Sequence, residues 1–251
     1  MNEGGAALPT SVPEVVARLR EIERSLPRGD GVACFVGLYR QVTEDVQDGL
    51  ERSAFANPRY MERLDLIFAG LFFTAVDADA RSAGSAPPAW RPLFAARSQR
   101  GIAPIQFALA GMNAHINRDL PLAVVATCGE FGIELRSGSP EHADFLRINA
   151  LLADVEAKLE NESYLPRWLR PFDRLLHRTR RLGDVIAMWN VERARDAAWT
   201  NAEALWALRR EPELAAEFVA SLDRMVGFAG RGLLIPSESF LGRATRWLRR
   251  R

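Results

Sequence analysis

The sequence predicts an all-α protein, built as a single bundle-like domain of about nine or ten helices. Apolar residues recur at helical spacing through almost all of the 251 residues, and no segment alternates strand, turn and strand. A chain of this length buries roughly 70 to 75% of the surface that its unfolded form exposes, so its core needs neither disulfides nor a structural metal. We therefore expect one domain over residues 11–251, after a flexible N-terminus at 1–10.

The first half of the chain divides into helices at clear start and stop signals. Ser11, Pro13 and Glu14 are typical of a helix N-terminus, and the glycines at 29 and 31 end the first helix. A loop is expected at 80–88, where small residues, glycine and proline cluster. The helices predicted after the first one cover residues 32–54, 58–79, 90–97 and 104–118.

The second half is predicted to be helical as well, with one ambiguous segment. Residues 120–127 contain a proline and suit a strand or a helix equally well, and a stop follows at 137–140. Three glycines at 227, 230 and 232 indicate a last loop. The predicted helices cover residues 141–160, 164–178, 183–210, 212–228 and a basic amphipathic terminal helix at 237–251.

Composition narrows the classes of function. The chain has 33 basic and 32 acidic residues and is 48% hydrophobic, which excludes an intrinsically disordered protein. A dedicated nucleic-acid binder usually carries a strong basic excess, so no nucleic-acid partner is expected. The N-terminus has no secretory pattern, and the longest apolar run, Leu66 to Val76, is shorter than the about 20 residues that span a bilayer. We expect a cytoplasmic protein.

The most unusual segment lies at the end of the fifth predicted helix. After an apolar stretch it presents Asn113, His115, Asn117 and Asp119 within seven residues. On a continuous helix His115 and Asp119 are one turn apart and can meet, whereas Asn113 and Asn117 share another face with Gln106. Small residues one turn before His115 leave room beside the imidazole for a ligand or for another helix.

A histidine with a carboxylate four residues later supports two kinds of chemistry. The acid orients and charge-stabilises the ring as a general base, or both groups ligate one divalent metal ion. We predict a catalytic role for His115 and Asp119, with Asn113 and Asn117 binding substrate. The structural alternative is a helix C-terminus at which these polar groups bind free carbonyls.

Two other places carry candidate site residues. Asp65 interrupts an apolar stretch of its helix, so it is paired with an arginine, bound to metal or protonated, and it is the third candidate ligand or catalytic group. Trp189, Asn190 and Arg193 lie on a later helix that either closes a pocket over His115, with Arg193 contacting an anion, or forms an ion-paired helix seam. His142 and His177 are predicted to be surface residues.

Several stretches together resemble a known family. They are Gly29–Phe35, Met61–Asp65, Ala89–Phe94, Gly111–Pro121 and Trp189–Asn190. These stretches are similar to the uncharacterised bacterial family called domain of unknown function 5995, over roughly residues 15 to 210. The resemblance implies a shared fold and a shared site around the histidine segment, but no assigned reaction.

The preferred interpretation is an enzyme of small-molecule metabolism with its site between the helices that carry Asp65, His115 and Asn190. Its chemistry is left open between metal-assisted hydrolysis and metal-free acid-base chemistry such as cyclisation or isomerisation. The rival is a non-enzymatic helical module that binds a lipid-like ligand, a protein partner or, through the basic helix at 237–251, a membrane surface. The substrate and the oligomeric state are not indicated by the sequence.

Overall fold

The computed structural model describes residues 7–52, 54–149 and 191–236. All regular secondary structure within these ranges is helical, which confirms the predicted all-α fold. None of the helices searched in these ranges combines the length and apolarity needed to cross a membrane. The elements are α1 Val12–Ser25, α2 Gly31–Glu51, α3 Pro58–Arg81, α4 Arg91–Ala96, α5 Pro104–Ala114, a π-helical segment His115–Asp119, α6 Leu120–Phe131, α7 (described over 140–149), α8 Val191–Ala207 and α9 Pro212–Leu233.

A continuous central helix organises the bundle. It consists of α5, the π segment and α6, which follow one another without a break over residues 104–131. Helices α2 and α9 pack against α5, whereas α3 and α8 pack against α6. The apolar core accordingly has two parts, and Phe68 and Met112 contact both of them. The π segment therefore lies where the two parts of the core join.

Side-chain caps explain where α2 and α3 begin. The Asp30 carboxylate accepts a hydrogen bond from the backbone N–H of Val32, which starts α2 at the predicted break. The Asn57 side chain accepts from the N–H of Tyr60 at the start of α3. The buried carboxylate of Asp144, on α7, accepts from the N–H of Asn57, so a distant helix secures the start of α3.

The ambiguous segment at 120–127 is helical, and the helix before it is not a regular α-helix throughout. Pro121 has no N–H and would clash with the carbonyl four residues earlier in an α-helix. The chain widens into a π turn just ahead of it, where the N–H of Leu120 donates to the carbonyl of His115. The predicted end at residue 118 is therefore corrected: the helix continues to Phe131.

The three glycines of α9 do not form the predicted loop, because α9 continues to Leu233. A Cβ at Gly227 would collide with the backbone carbonyl of Pro88, and one at Gly230 would contact Pro92 and Asn113. These glycines thus permit α9 to approach the segment before α4 and the central helix closely. The predicted helices at 164–178 and 237–251 and the N-terminal residues 1–6 lie outside the described residues.

Candidate functional site

His115 and Asp119 form a buried pair, as their spacing predicts. Nδ1 of His115 lies 3.0 Å from Oδ2 of Asp119, and the two residues are 2% and 0% exposed. The indole N–H of Trp90 donates to the same carboxylate oxygen over 3.0 Å, and Arg118 donates to Oδ1 over 2.7 Å. An ionised carboxylate can only accept hydrogen bonds, so Asp119 favours the imidazole tautomer that carries its proton on Nδ1. This tautomer has a lone pair on Nε2.

That second ring nitrogen is enclosed and has no hydrogen-bond partner within residues 7–52, 54–149 and 191–236. Phe68 stacks on the imidazole with ring centroids 3.5 Å apart and an interplanar angle of 7°, and the Tyr39 ring lies edge-on with its centroid 4.5 Å away. Burial lowers the pKa of His115 below its usual 6.5, although Asp119 acts in the opposite direction. The imidazole is therefore neutral near pH 7. The shell around it is completed by Phe35, Phe72 and Trp90.

Two more buried polar atoms belong to Tyr39 on α2 and Asp65 on α3. The Tyr39 hydroxyl makes no well-formed hydrogen bond to the described residues; burial together with the charges of Asp65 and Asp119 raises its pKa well above the usual value, whereas the Thr43 side chain acts in the opposite direction. Oδ2 of Asp65 is also enclosed and has no hydrogen-bond partner in the described ranges, and burial with the nearby charge of Glu62 raises the pKa of this carboxyl to about 7. Tyr39 connects the two, since its ring lies against His115 and its phenol lies within the field of Asp65. We call Tyr39, Asp65, His115 and Asp119 the His115 cluster.

The two asparagines predicted to bind substrate face away from this cluster. Asn113 donates to the backbone carbonyl of Val226 in α9 over 3.0 Å, and Asn117 donates to Oδ1 of Asn113 over 3.1 Å. Gln106, on the same face, donates to the carbonyl of Leu233 over 2.7 Å. This face is a polar seam between the central helix and α9, so the structure does not bring these amides together with His115.

Arg118 connects the seam with the cluster. Besides its bond to Asp119, its Nε lies 3.6 Å from a carboxylate oxygen of Asp223 in α9. Asp223 also accepts from the backbone N–H of Ala89 over 2.9 Å. The carboxylate of the His115 pair is thereby tied, through one arginine, to the helix that packs on the opposite face.

The remaining predictions have mixed outcomes. Trp189 and Asn190 lie outside the described residues, and Arg193 is an exposed side chain on α8. Gly111 does leave room beside the imidazole, but α2 uses that room, because a Cβ there would collide with the ring of Phe35. Tyr39 was not predicted; its hydroxyl on the apolar face of α2 was the one sign available in the sequence.

The described residues do not provide a complete ligand set for the expected divalent metal ion. Across residues 7–52, 54–149 and 191–236, no group of three His, Cys, Asp or Glu side chains is placed to hold a metal ion. Asp65 thus does not join His115 and Asp119 as a third ligand. What the cluster offers is a neutral imidazole oriented by a carboxylate, a carboxyl that titrates near neutral pH, and a phenol that stays protonated.

Comparison with known proteins identifies the family but adds no activity. The model of the family described as "Family of unknown function (DUF5995)" matches residues 12–236, so the chain belongs to this family, as its sequence stretches predict. No curated protein and no solved structure matches the chain significantly. The chemistry of the site is therefore the only indication of a function.

Proposed function

We propose that this member of DUF5995 is an enzyme of small-molecule metabolism that moves a proton on a small, largely apolar substrate, as an isomerase or a cyclase does. The observation that carries the proposal is the enclosed, partnerless Nε2 of a histidine whose other nitrogen is bound to Asp119. Buried polar atoms are nearly always hydrogen-bonded, so an unpaired one in an aromatic shell is suited to receive a proton from a ligand.

His115 is the general base in this proposal, and Asp119 is its orienting group. A neutral imidazole accepts a substrate proton at Nε2, and the carboxylate on Nδ1 stabilises the imidazolium that forms. Trp90 and Arg118 hold the carboxylate in place through their own hydrogen bonds. The aromatic rings that enclose the imidazole keep water from the proton that is transferred.

Asp65 is the general acid, and Tyr39 is a hydrogen-bond donor to the oxygen on which charge develops. The environments shift the two titrating groups in opposite directions, since the pKa of His115 is lowered and that of Asp65 is raised to about 7. Opposed shifts of neighbouring groups are typical of acid and base pairs at active sites. The rate should rise as pH increases through the lowered pKa of His115 and fall as Asp65 ionises above about 7, which gives an optimum at slightly acid pH. A cytoplasmic location remains part of the proposal.

The experiment is an unbiased search for proton transfer. Wild-type protein is incubated in D2O with a pooled library of small metabolites, and products are followed by mass spectrometry. We expect one compound class to gain a single deuterium or to form an isomer. Asp65→Asn should slow this reaction by about 10²-fold or more, the usual contribution of a positioned acid or base, and His115→Phe should abolish it.

Asp48→Asn is the matched control, because Asp48 is a surface carboxylate paired with Arg52. It should leave the exchange unchanged. Identical product profiles from wild type and His115→Phe would contradict the proposal. A compound that binds saturably without exchange in the wild type would favour the non-enzymatic binding module instead.

A further inference from the structure

The contact between α7 and α8 holds a buried arginine whose hydrogen-bond acceptors are neutral. Arg195 is 6% exposed; its Nε donates to Oδ1 of Asn149 over 2.6 Å, and one Nη donates to the carbonyl of Phe145 over 2.8 Å. The guanidinium also lies over the Phe145 ring, 4.2 Å from its centroid. Within the described part of the chain no carboxylate lies within ion-pair distance of Arg195, and only Asp196, its exposed neighbour, adds a favourable charge from farther away.

The buried acid of α7 already has other partners. Asp144 accepts from the backbone N–H groups of Ala56 and Asn57 and pairs with Arg147, on a different face of α7 from Phe145 and Asn149. Burial consequently lowers the pKa of Arg195 to about 9. A buried charge without a counter-ion is costly, and its two protein hydrogen bonds use only part of the five N–H groups of the guanidinium.

A second buried donor lies on the same face of α8. Trp199 follows Arg195 by one helical turn, is 2% exposed, and has an indole N–H that finds no hydrogen-bond partner among the described residues. By contrast, the indole N–H of Trp206 donates to Glu134 over 3.0 Å. The His142 ring lies 4.5 Å from Trp199, between centroids, and its Nδ1 accepts from the N–H of Gly138, so its Nε2 carries a hydrogen.

We propose that α7 and α8 form a binding site for an oxyanion, the carboxylate or phosphate group of a small metabolite. Arg195 supplies the positive charge, and the N–H groups of Trp199 and His142 donate hydrogen bonds that orient the bound anion. A planar guanidinium suits both oxyanions because it presents parallel N–H groups to two oxygens. His142 and Asn149 are half-buried and place the edge of the site near solvent. No residue of this site belongs to the His115 cluster.

The wild-type protein allows a direct test. ¹⁵N-labelled protein is titrated with inorganic phosphate and, separately, with acetate, with sodium chloride keeping the ionic strength constant. We expect the Trp199 indole N–H resonance, assigned with Trp199→Phe, to move downfield and saturate, whereas that of Trp206 stays in place. A larger response to phosphate identifies a phosphorylated ligand, and a larger response to acetate identifies a carboxylate. The absence of saturation with both anions, or an equal movement with sodium chloride alone, would overturn the proposal.

Substitution of Arg195 provides a second test of the oxyanion site. Arg195→Gln should weaken binding of the responding anion by about 10-fold or more, because a charge-assisted hydrogen bond is lost. Arg209→Gln removes a surface arginine paired with Glu134 and should leave the affinity unchanged. Undiminished binding by Arg195→Gln would also overturn the proposal. If that variant does not fold, the titration of the wild type decides alone.

Discussion

Buried polar groups on two faces of the central helix differ in whether they are hydrogen-bonded. Toward α9, Gln106 and Asn113 donate to backbone carbonyls, and Asn117 donates to Asn113. Toward α2 and α3, the buried ring nitrogen of His115 and the hydroxyl of Tyr39 make no well-formed hydrogen bond to any residue that the structure describes. Both faces come from one continuous stretch of helix, so local propensity cannot account for the difference.

The paired and the unpaired buried groups should have opposite effects on the stability of the fold. A paired buried group contributes about 0.5 to 1.5 kcal/mol to stability, whereas an unpaired one costs about 1 to 3 kcal/mol. The hydrogen bonds toward α9 therefore stabilise the bundle, whereas the unpaired atoms of His115, Tyr39 and Asp65 lower its stability. A cost of this kind is typical of residues that bind or react with a ligand.

The largest effect is expected on the paired side, at Asp223. Asp223→Ala leaves the N–H of Ala89 without its acceptor and the largely buried Arg118 without its second carboxylate. The free energy of unfolding should fall by about 3 kcal/mol, measured by urea denaturation. Glu217→Ala, at an exposed position of the same helix, is the control and should stay within about 0.5 kcal/mol of the wild type. A loss below 1 kcal/mol at Asp223, roughly that of an ordinary surface change, would mean that the seam does not hold α9.

The next effect concerns the close approach of α2 beside the cluster. Gly111→Ala places a methyl group against the Phe35 ring and should cost about 1 to 3 kcal/mol by overpacking. Gly129→Ala, in α6, meets nothing within 4 Å and should instead stabilise the protein by about 0.5 to 1 kcal/mol. Thermal unfolding of the two variants tests the comparison, and equal shifts of the same sign would contradict it.

A smaller, pH-dependent effect is expected at Asp65. Its folded-state pKa is raised from 3.8 to about 7, so the folded state binds this proton more tightly than the unfolded state does. The resulting stability is complete below about pH 3.8 and is lost as pH rises through about 7. Asp65→Asn cannot ionise and should match the wild type near pH 4 but exceed it by about 1 to 3 kcal/mol at pH 8, a value reduced for the partial exposure of this residue.

The control for this variant is again the surface carboxylate Asp48. Asp48→Asn should show no such divergence between the two pH values, because its side chain is 58% exposed. Denaturant curves at both pH values measure the difference. An Asp65→Asn variant less stable than the wild type at pH 8 would show that the carboxylate has a partner and stabilises the fold.

The smallest effect on stability is expected at His115 itself. His115→Phe keeps an aromatic ring in the shell, and Asp119 retains its bonds to Trp90 and Arg118, so stability near pH 7 should change by less than about 1 kcal/mol. The lowered pKa of His115 means that the wild type loses stability as pH falls from 6.5 through that lowered value. The variant lacks this loss. A cost above 3 kcal/mol near neutral pH would make His115 a structural residue.

Much of the architecture follows from local patterns. The helical periodicity, the break between α1 and α2 at the glycines 29 and 31, and the meeting of His115 with Asp119 all depend on residues close in sequence, and each agrees with the structure. The sequence-based predictions are wrong where contacts with distant segments determine the local structure. The glycines of α9 resemble a loop by composition, yet they lie inside a helix, and only Gly227 is needed there to make room for the backbone of a distant residue, Pro88.

The candidate site likewise has features that the sequence predicted and features that depend on the tertiary structure. The sequence by itself identified an all-α chain and a histidine and carboxylate on one helix face, since these depend on spacing and composition. The family followed from the resemblance of particular stretches of the chain. Only the tertiary structure decided that Asn113 and Asn117 bond toward α9, that Phe68 covers the imidazole, and that Tyr39 lies within the field of Asp65. The physical reason is that hydrogen-bond satisfaction and desolvation are set by neighbours from other helices, which no single segment encodes.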